Sequence, residues 1–237
     1  MIKQELKKYA SKERKKTNEW FFKTGKGQYG EGDIFVGVRT PDTRKVAKMF
    51  KDISLTELQK VISSKIHEER LCAILILVEN SKLSSKEKDR KKQKLFLNFY
   101  LKNLKYVNNW DLVDLSAHYI LGQAILDGIK SIKILDDLIE SKILWERRAG
   151  IVATWIFIRE GKIETTLKLS KKLLGDKEDL MRKAVGWMLR EARKKDNKKV
   201  EEFLIMNYTK ISRTALRYAI ERIAESKRKR FLKGKFK

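Results

Sequence analysis

The 237-residue sequence has one cysteine, one proline and two histidines. The lone cysteine, Cys72, excludes disulfides within the chain and any metal site built from several cysteines. Two histidines make a zinc site unexpected as well. With Pro41 the only proline and 12 glycines in all, helix breakers are scarce, and strand-like alternation is nearly absent. We therefore expect a helical protein that holds no metal and no cofactor.

Long apolar runs are also missing. The longest, Leu71 to Val78, is far shorter than a bilayer crossing and is predicted to be a buried helix. The first residues, MIKQELKKYASKERKK, are charged and lack the apolar stretch of a signal peptide. These features predict a cytoplasmic protein without a membrane segment, and we expect a monomer.

Acidic residues are few compared with basic ones. The chain has 56 Lys and Arg against 31 Asp and Glu, which gives a formal net charge of +25. Such a surface repels itself unless it meets a polyanion, so nucleic acid is the partner that the charge favours. A proteome generally rich in lysine is the alternative explanation, and the abundance of Lys and Ile fits it in part.

Similar apolar segments recur along the chain, each with a polar start that carries an arginine. Arg148 and Arg182 are 34 residues apart, and Arg182 and Arg217 are 35 apart. Periods of this size are typical of stacked helix pairs of the HEAT type. We predict an all-α fold of HEAT-like repeats in a curved, right-handed solenoid. The segments are HEERLCAILIL, WDLVDLSAHYIL, WERRAGIVATW, DLMRKAVGWML and SRTALRYAIERI, from His67, Trp110, Trp145, Asp179 and Ser212.

The remaining sequence predicts a single domain over residues 1–237. Residues 1–45 hold amino-terminal helices and a glycine-rich loop, residues 46–225 the repeat array, and residues 226–237 a basic tail. The loop, Gly25 to Gly37, lacks the Gly-Lys-Ser/Thr ending of a P-loop. Pro41 is expected in the first turn of a helix that opens near Thr40. The tail could contact phosphates or could be a solvated, frayed end.

Three helix starts combine polar and aromatic residues in an unusual way. They are NNWDLVD (108–114), LWERRAGI (144–151) and RKAVGWMLRE (182–191). Trp110 and Asp114 are four residues apart, so a helix places them on one face. If the repeats stack in register, the three starts would line one surface.

With these segments and GQYGEGDIFVGVRTPDTRKVAK, the sequence resembles the AlkD-like alkylpurine DNA glycosylases, a family built from HEAT-like repeats. The resemblance covers nearly the whole chain. It implies an active face formed by Trp110, Trp187, Asp114 and Arg148. Arg147 is an alternative to Arg148 because the match is uncertain by one residue.

The resemblance also implies further residues that contact DNA, and it implies a partner. The segment around Tyr29 matches loosely the family's amino-terminal region, whose aromatic residue helps approach the damage. Arg190 lies in the same segment as Trp187, and we expect it to contact DNA. The expected partner is duplex DNA with alkylated bases, and the expected location is the cytoplasm, in association with the nucleoid.

The implied chemistry suits these residue types. A purine alkylated at N3 or N7 is cationic, and cleavage of its glycosidic bond builds positive charge on the sugar. A carboxylate such as Asp114 stabilises that charge or orients the attacking water. The indoles of Trp110 and Trp187 offer electron-rich faces to a cationic nucleotide. Arg148 could grip a phosphate, and no lysine nucleophile is needed, so we expect simple base hydrolysis without strand cleavage.

Structural roles are open for the same residues. Asp114 could pair with His118, and Asp111 could stabilise a helix start. Trp187 could be a core residue, as we expect for Trp20, Trp145 and Trp155. The adjacent Arg147 and Arg148 could serve only repeat stacking.

Two other functions are also open for the chain as a whole. One is a non-catalytic protein that binds damaged or branched DNA on the same scaffold. The other is an RNA-associated or ribosome-associated repeat protein. That last function explains the charge but leaves the Trp-Asp-Arg-Trp set unexplained.

Overall fold

A computed structural model describes residues 1–236. Across this range the regular structure is helical, and the β pairing consists of one isolated bridge between Ile34 and Ile66. The predicted all-α class is therefore confirmed. The chain divides into two compact units, Met1–Ile120 and the residues from Leu121 onward.

The first unit contains seven α-helices and a short 3-10 turn. They are α1 (Ile2–Lys7), α2 (Lys12–Phe21), α3 (Thr40–Met49), α4 (Leu55–Ile62), α5 (His67–Lys86), α6 (Arg90–Lys102), the 3-10 turn Leu104–Tyr106 and α7 (Trp110–Ala117). The glycine-rich loop joins α2 to α3. A π-helical turn, His118–Gly122, follows α7 at the junction of the two units.

Helix α5 is the central element of the first unit. Every residue from Leu71 to Val78 is at most 3% exposed, because α3, α4, α6 and α7 all pack around this helix. A helix that is apolar on all sides is stable only when it is surrounded in this way. The prediction that this run forms a buried helix is confirmed.

The second unit is built around α13. Its helices are α8 (Gln123–Leu126), α9 (Lys133–Ile139), α10 (Leu144–Ala153), α11 (Trp155–Arg159), α12 (Glu164–Leu173), α13 (Asp179–Arg193), α14 (Asn197–Met206), α15 (Arg213–Ala219) and α16 (Glu225–Leu232). Helix α9 packs on α10, and α12 packs on α13, while α13 also contacts α10 and α15. The predicted recurrence of helical segments is therefore present as α5, α7, α10, α13 and α15.

Local sequence signals explain where many helices begin. The side chains of five residues each accept a hydrogen bond from the backbone N–H three positions on, which satisfies a helix-terminal donor. These residues are Ser11, Ser54, Asp89, Asp196 and Ser212. Pro41 lies in the first turn of α3, as predicted, and Thr40 is the first residue of that helix.

Two expectations about the ends of the chain change with the structure. Trp20 is not a core residue, since 71% of it is exposed: α2 is too polar to bury any residue, and Lys23 lies over the indole. The basic tail forms α16, with Phe231 buried and the ring of Phe236 against Tyr208. Within residues 1–236, no helix has the length and apolar character needed to cross a bilayer.

Candidate functional site

The start of α7 carries two of the predicted site residues. Asn109 caps the helix by accepting a hydrogen bond from the Trp110 N–H at 2.8 Å. Trp110 and Asp114 follow on one face, and both side chains are partly exposed. The arrangement leaves an indole and a carboxylate within reach of a ligand on the surface of the first unit.

The indole of Trp110 rests on an aromatic cluster that the sequence did not predict. The ring of Phe22 stacks on Trp110 with centroids 5.3 Å apart and planes 16° from parallel, and Phe21 meets Trp110 edge-on at 5.8 Å. On its other side Phe22 stacks on Phe35 at 5.0 Å. In the sequence, the only indication of this cluster was the adjacent pair Phe21 and Phe22 at the end of α2.

A buried polar network lies directly under this cluster. Its members are His67, at the start of α5, with Asp33, Arg70, Asn109 and Asp111, all at most 9% exposed. The Nδ1 of His67 lies 3.0 Å from an Oδ of Asp33, and its Nε2 lies 2.8 Å from an Oδ of Asp111. Asp33 also accepts from Arg70 at 2.6 Å and from Asn109 at 3.1 Å. We call this set the His67 network.

The network is charged at neutral pH. Burial lowers the pKa of His67, but the charges and hydrogen bonds of Asp111 and Asp33 raise it by more, to about 9. Burial also raises the pKa of Asp33, yet the bond from His67 and the charges of Arg70 and His67 hold that pKa below its ordinary value. Two cations and two carboxylates therefore compensate each other out of contact with water.

Asp111 thus has a larger role than a helix-dipole residue. It lies in the first turn of α7 and accepts from the Leu112 N–H at 2.9 Å, as a residue at a helix start does. Its second oxygen accepts from His67, so Asp111 also ties α7 to α5.

The glycine-rich loop is held to the same place by Glu68. The carboxylate of Glu68 accepts backbone N–H bonds from Val36, Gly37 and Val38, the shortest at 2.8 Å. Gly37 has a φ of +84°, and a Cβ there would lie 2.1 Å from the carbonyl oxygen of Ser11. Only glycine fits this position.

Tyr29, the predicted aromatic of the amino-terminal region, lies in the glycine-rich loop and is half-buried. Its hydroxyl donates to the carbonyl of Phe21 at 3.3 Å. It therefore supports the backbone beside the ring that touches Trp110.

A cleft of about 280 Å³ opens beside the His67 network in the first unit. Phe22 and Phe35 form its apolar wall, while Arg14 and Arg39 are exposed at its polar side. Among residues 1–236, no group of His, Cys, Asp and Glu side chains is placed to hold a metal ion. The carboxylates of the network are instead used by His67 and Arg70.

Beneath α7, Tyr100 connects the helix to α6. The hydroxyl of Tyr100 lies 2.9 Å from the Oγ of Ser116. Burial and the negative charge of Asp114 both raise the pKa of Tyr100, against the opposing effect of the Ser116 bond. The phenol is therefore neutral, and it supports the turn of α7 that carries Asp114.

The other predicted residues lie in the second unit. Arg147 pairs with Asp176 at 2.7 Å and also donates to the carbonyl of Ser141. Arg148 is 5% exposed, and its Nη1 donates to the carbonyl of Leu180 in the first turn of α13 at 2.5 Å. The two neighbours on α10 thus have different environments, and both brace the segment from which α13 begins.

Helix α13 carries Trp187 and Arg190, both partly exposed. Arg190 forms ion pairs with Glu221 and Glu191. Gly186, next to Trp187, lets α13 approach α15 closely, since a Cβ there would lie 2.5 Å from both the Ala215 carbonyl oxygen and the Tyr218 Cβ. The close approach of α15 at Gly186 therefore fixes the position of the α13 backbone next to Trp187.

Residues 2–223 match the sequence model of a family described as DNA alkylation repair enzyme. A search of curated proteins gives no significant match.

Two solved structures resemble the chain. One is described as a predicted DNA alkylation repair enzyme from Enterococcus faecalis, with a TM-score of 0.68 at 19% identity, covering 91% of this chain and 97% of its own. The other is smu.31 from Streptococcus mutans UA159, with a TM-score of 0.52 at 19% identity, covering 94% and 98%. At this identity the likeness establishes a shared fold.

Proposed function

Because the chain belongs to the DNA alkylation repair enzyme family, which supports a role in the repair of alkylated DNA, we propose that it is a DNA glycosylase. Its substrates would be cationic alkylated purines, such as 3-methyladenine or 7-methylguanine, in duplex DNA. The reaction would be hydrolysis of the N-glycosidic bond without cleavage of the strand.

The observation that carries this proposal is the exposed face of α7. Trp110 and Asp114 lie one turn apart on that face, and Trp110 is held from behind by Phe22. A cationic purine nucleotide meets an electron-rich indole there, and the carboxylate lies beside it. The net charge of +25 favours the polyanionic partner that would bring such a nucleotide to this face.

Asp114 supplies the negative charge for the transition state. As the bond to the base breaks, the sugar becomes oxocarbenium-like, and a fixed carboxylate stabilises it more than it stabilises the neutral sugar. Trp187, partly exposed on α13, is proposed as a second indole for the cationic nucleotide.

The arginines enter the proposal in different ways. Arg147 and Arg190 are already paired with carboxylates, so we assign them mainly to the fold. Arg148 is 5% exposed and its Nη1 donates to the carbonyl of Leu180, so we assign it mainly to the fold as well. The phosphate contact that the resemblance implies for Arg148 would require its guanidinium to leave this buried position.

The test is to incubate the protein with N-methylated duplex DNA and to measure released bases by chromatography. Asp114→Asn keeps the side chain's size and removes its charge, so excision should fall by about 10²-fold or more. Binding to undamaged duplex should be unchanged or slightly tighter. The matched control is Asp137→Asn, an exposed residue of α9, which should excise at the wild-type rate.

Two outcomes would contradict the proposal. A wild-type protein that binds DNA but releases no base would be a non-catalytic DNA binder. An Asp114→Asn variant that excises at the wild-type rate would make Asp114 a structural residue.

A further inference from the structure

His67 is a buried titratable side chain of the first unit that is bonded at both ring nitrogens, and the proposed chemistry does not use it. The ring is 1% exposed, and both of its nitrogens lie within 3.0 Å of a carboxylate oxygen. A general acid or base has to exchange protons with the substrate or with water. His67 is closed to both, so its role must be exerted through its neighbours.

Those neighbours flank Trp110 in the sequence. Asp111, the residue after Trp110, binds His67 directly. Asn109, the residue before it, donates to Asp33, which is the second partner of His67. The same Asn109 accepts the Trp110 N–H. The residues on both sides of Trp110 are thus linked to His67, Asp111 directly and Asn109 through Asp33.

The indole of Trp110 is fixed through a parallel route. Phe22 stacks on Trp110, and the ring of Phe22 also lies 5.0 Å from the ring of His67. Phe35 stacks on His67 at 4.5 Å. A change in the position of His67 therefore acts on Trp110 through the backbone and through the aromatic cluster together.

We propose that His67 is a positioning residue, which sets the direction in which the first turn of α7 presents Trp110 and Asp114. The inference rests on the proposed function, in which these two side chains meet the damaged nucleotide. Histidine suits the position because it donates from two opposite edges of a rigid ring, whereas an amide side chain donates from one.

The charges around the ring explain why a donor at both edges is required. Asp33 and Asp111 face His67 from the loop and from α7, and Arg70 faces it from its own helix. Without His67, Asp33 would keep its bonds from Arg70 and Asn109, but Asp111 would keep only the bond from the Leu112 N–H. Asp111 would relieve the cost of a buried, uncompensated charge by taking up a proton or by a shift of the first turn of α7.

The experiment follows Trp110 by ¹⁹F NMR on protein labelled with 5-fluorotryptophan, with the Trp110 resonance assigned by Trp110→Phe. His67→Gln should shift or broaden that resonance. Single-turnover excision at saturating protein should fall by about 10-fold or more, because small displacements of catalytic groups are costly. Binding to undamaged duplex should stay within about twofold.

The matched control is Asn103→Ala. Asn103 is 2% exposed, exchanges two hydrogen bonds with Gln59, and makes no bond to the His67 network. This variant should melt at a lower temperature but keep the Trp110 resonance and the excision rate, both measured where the proteins are fully folded. Equal effects of the two variants on excision would overturn the proposal.

Two further results separate the possible failures. If His67→Gln does not fold, Asp111→Asn removes one of the two carboxylates and must shift the same resonance, or the proposal is wrong. If wild-type protein releases no base, the glycosylase function fails, and an unshifted Trp110 resonance in His67→Gln would separately refute the positioning role.

Discussion

Replacement of Gly186 by alanine should destabilise the second unit, although alanine is the better helix former. In the middle of a helix, Gly→Ala stabilises by roughly 0.5–1 kcal/mol when the methyl group has room. At Gly186 the new Cβ would lie 2.5 Å from the carbonyl oxygen of Ala215 and 2.5 Å from the Cβ of Tyr218. Neither atom is the far end of a flexible side chain, so α15 has to move as a unit.

Overpacking of this kind costs about 1–3 kcal/mol. After the helix-propensity gain is subtracted, we expect a net loss centred on about 1 kcal/mol, which lowers the melting temperature by roughly 2–4 °C for a chain of this length. Since Trp187 follows Gly186 directly, excision at a temperature where both proteins are folded should fall as well.

Gly175→Ala is the control for this prediction. It lies in the same unit, its φ is not positive, and nothing is within 4 Å of a Cβ there. This variant should be neutral or slightly stabilised in thermal denaturation followed by circular dichroism. A Gly186→Ala protein that melts within 1 °C or so of the wild type would mean that α13 and α15 do not approach each other as closely as described.

Three further predictions concern the first unit and DNA binding. The pKa of His67 is about 9 in the folded protein against 6.5 in the unfolded chain, so its contribution to stability is complete below pH 6.5 and is lost as the pH rises through 9. The free energy of unfolding in urea should therefore be lower by about 3 kcal/mol at pH 9.5 than at pH 6, and His67→Gln should lack this difference. Glu68→Ala leaves the N–H groups of Val36, Gly37 and Val38 without their acceptor, so the free energy of unfolding should fall by at least about 3 kcal/mol. Unchanged stability would show that water replaces the carboxylate. If six or more phosphates are bound, the affinity for undamaged duplex, measured by fluorescence anisotropy, should fall by roughly 10³-fold between 50 and 200 mM salt. An affinity that does not change with salt would make the net charge irrelevant to DNA binding.

Local sequence signals predicted the helices well because they act over a few residues. The apolar run of α5 has to be surrounded by other helices, and Pro41 is favoured in the first turn of a helix. Trp20 shows the limit of this reasoning. A tryptophan is usually core, but the ten residues of α2 offer no apolar face to bury with it.

The adjacent arginines of α10 could not be separated from sequence. Their roles depend on residues about 30 positions away, Asp176 for Arg147 and Leu180 for Arg148. On a helix, neighbours in sequence point in directions about 100° apart, so one faces the α12–α13 loop and the other the start of α13. Only the packing of that loop decides which guanidinium meets a carboxylate.

The His67 network was missed for a similar reason, and it changes how the charge of the chain is understood. Its bonds join residues 34 and 44 positions apart, and no short motif contains them. With His67 protonated, the network pairs two cations with two carboxylates and is neutral as a whole, so it is not a source of the chain's excess positive charge. Composition therefore predicted the attraction to a polyanion, whereas the presentation of Trp110 and Asp114 depends on a neutral cluster of long-range contacts. The two properties are physically separate, so a relative that kept the basic surface and lost this geometry would still attract a polyanion but would lack the proposed base release.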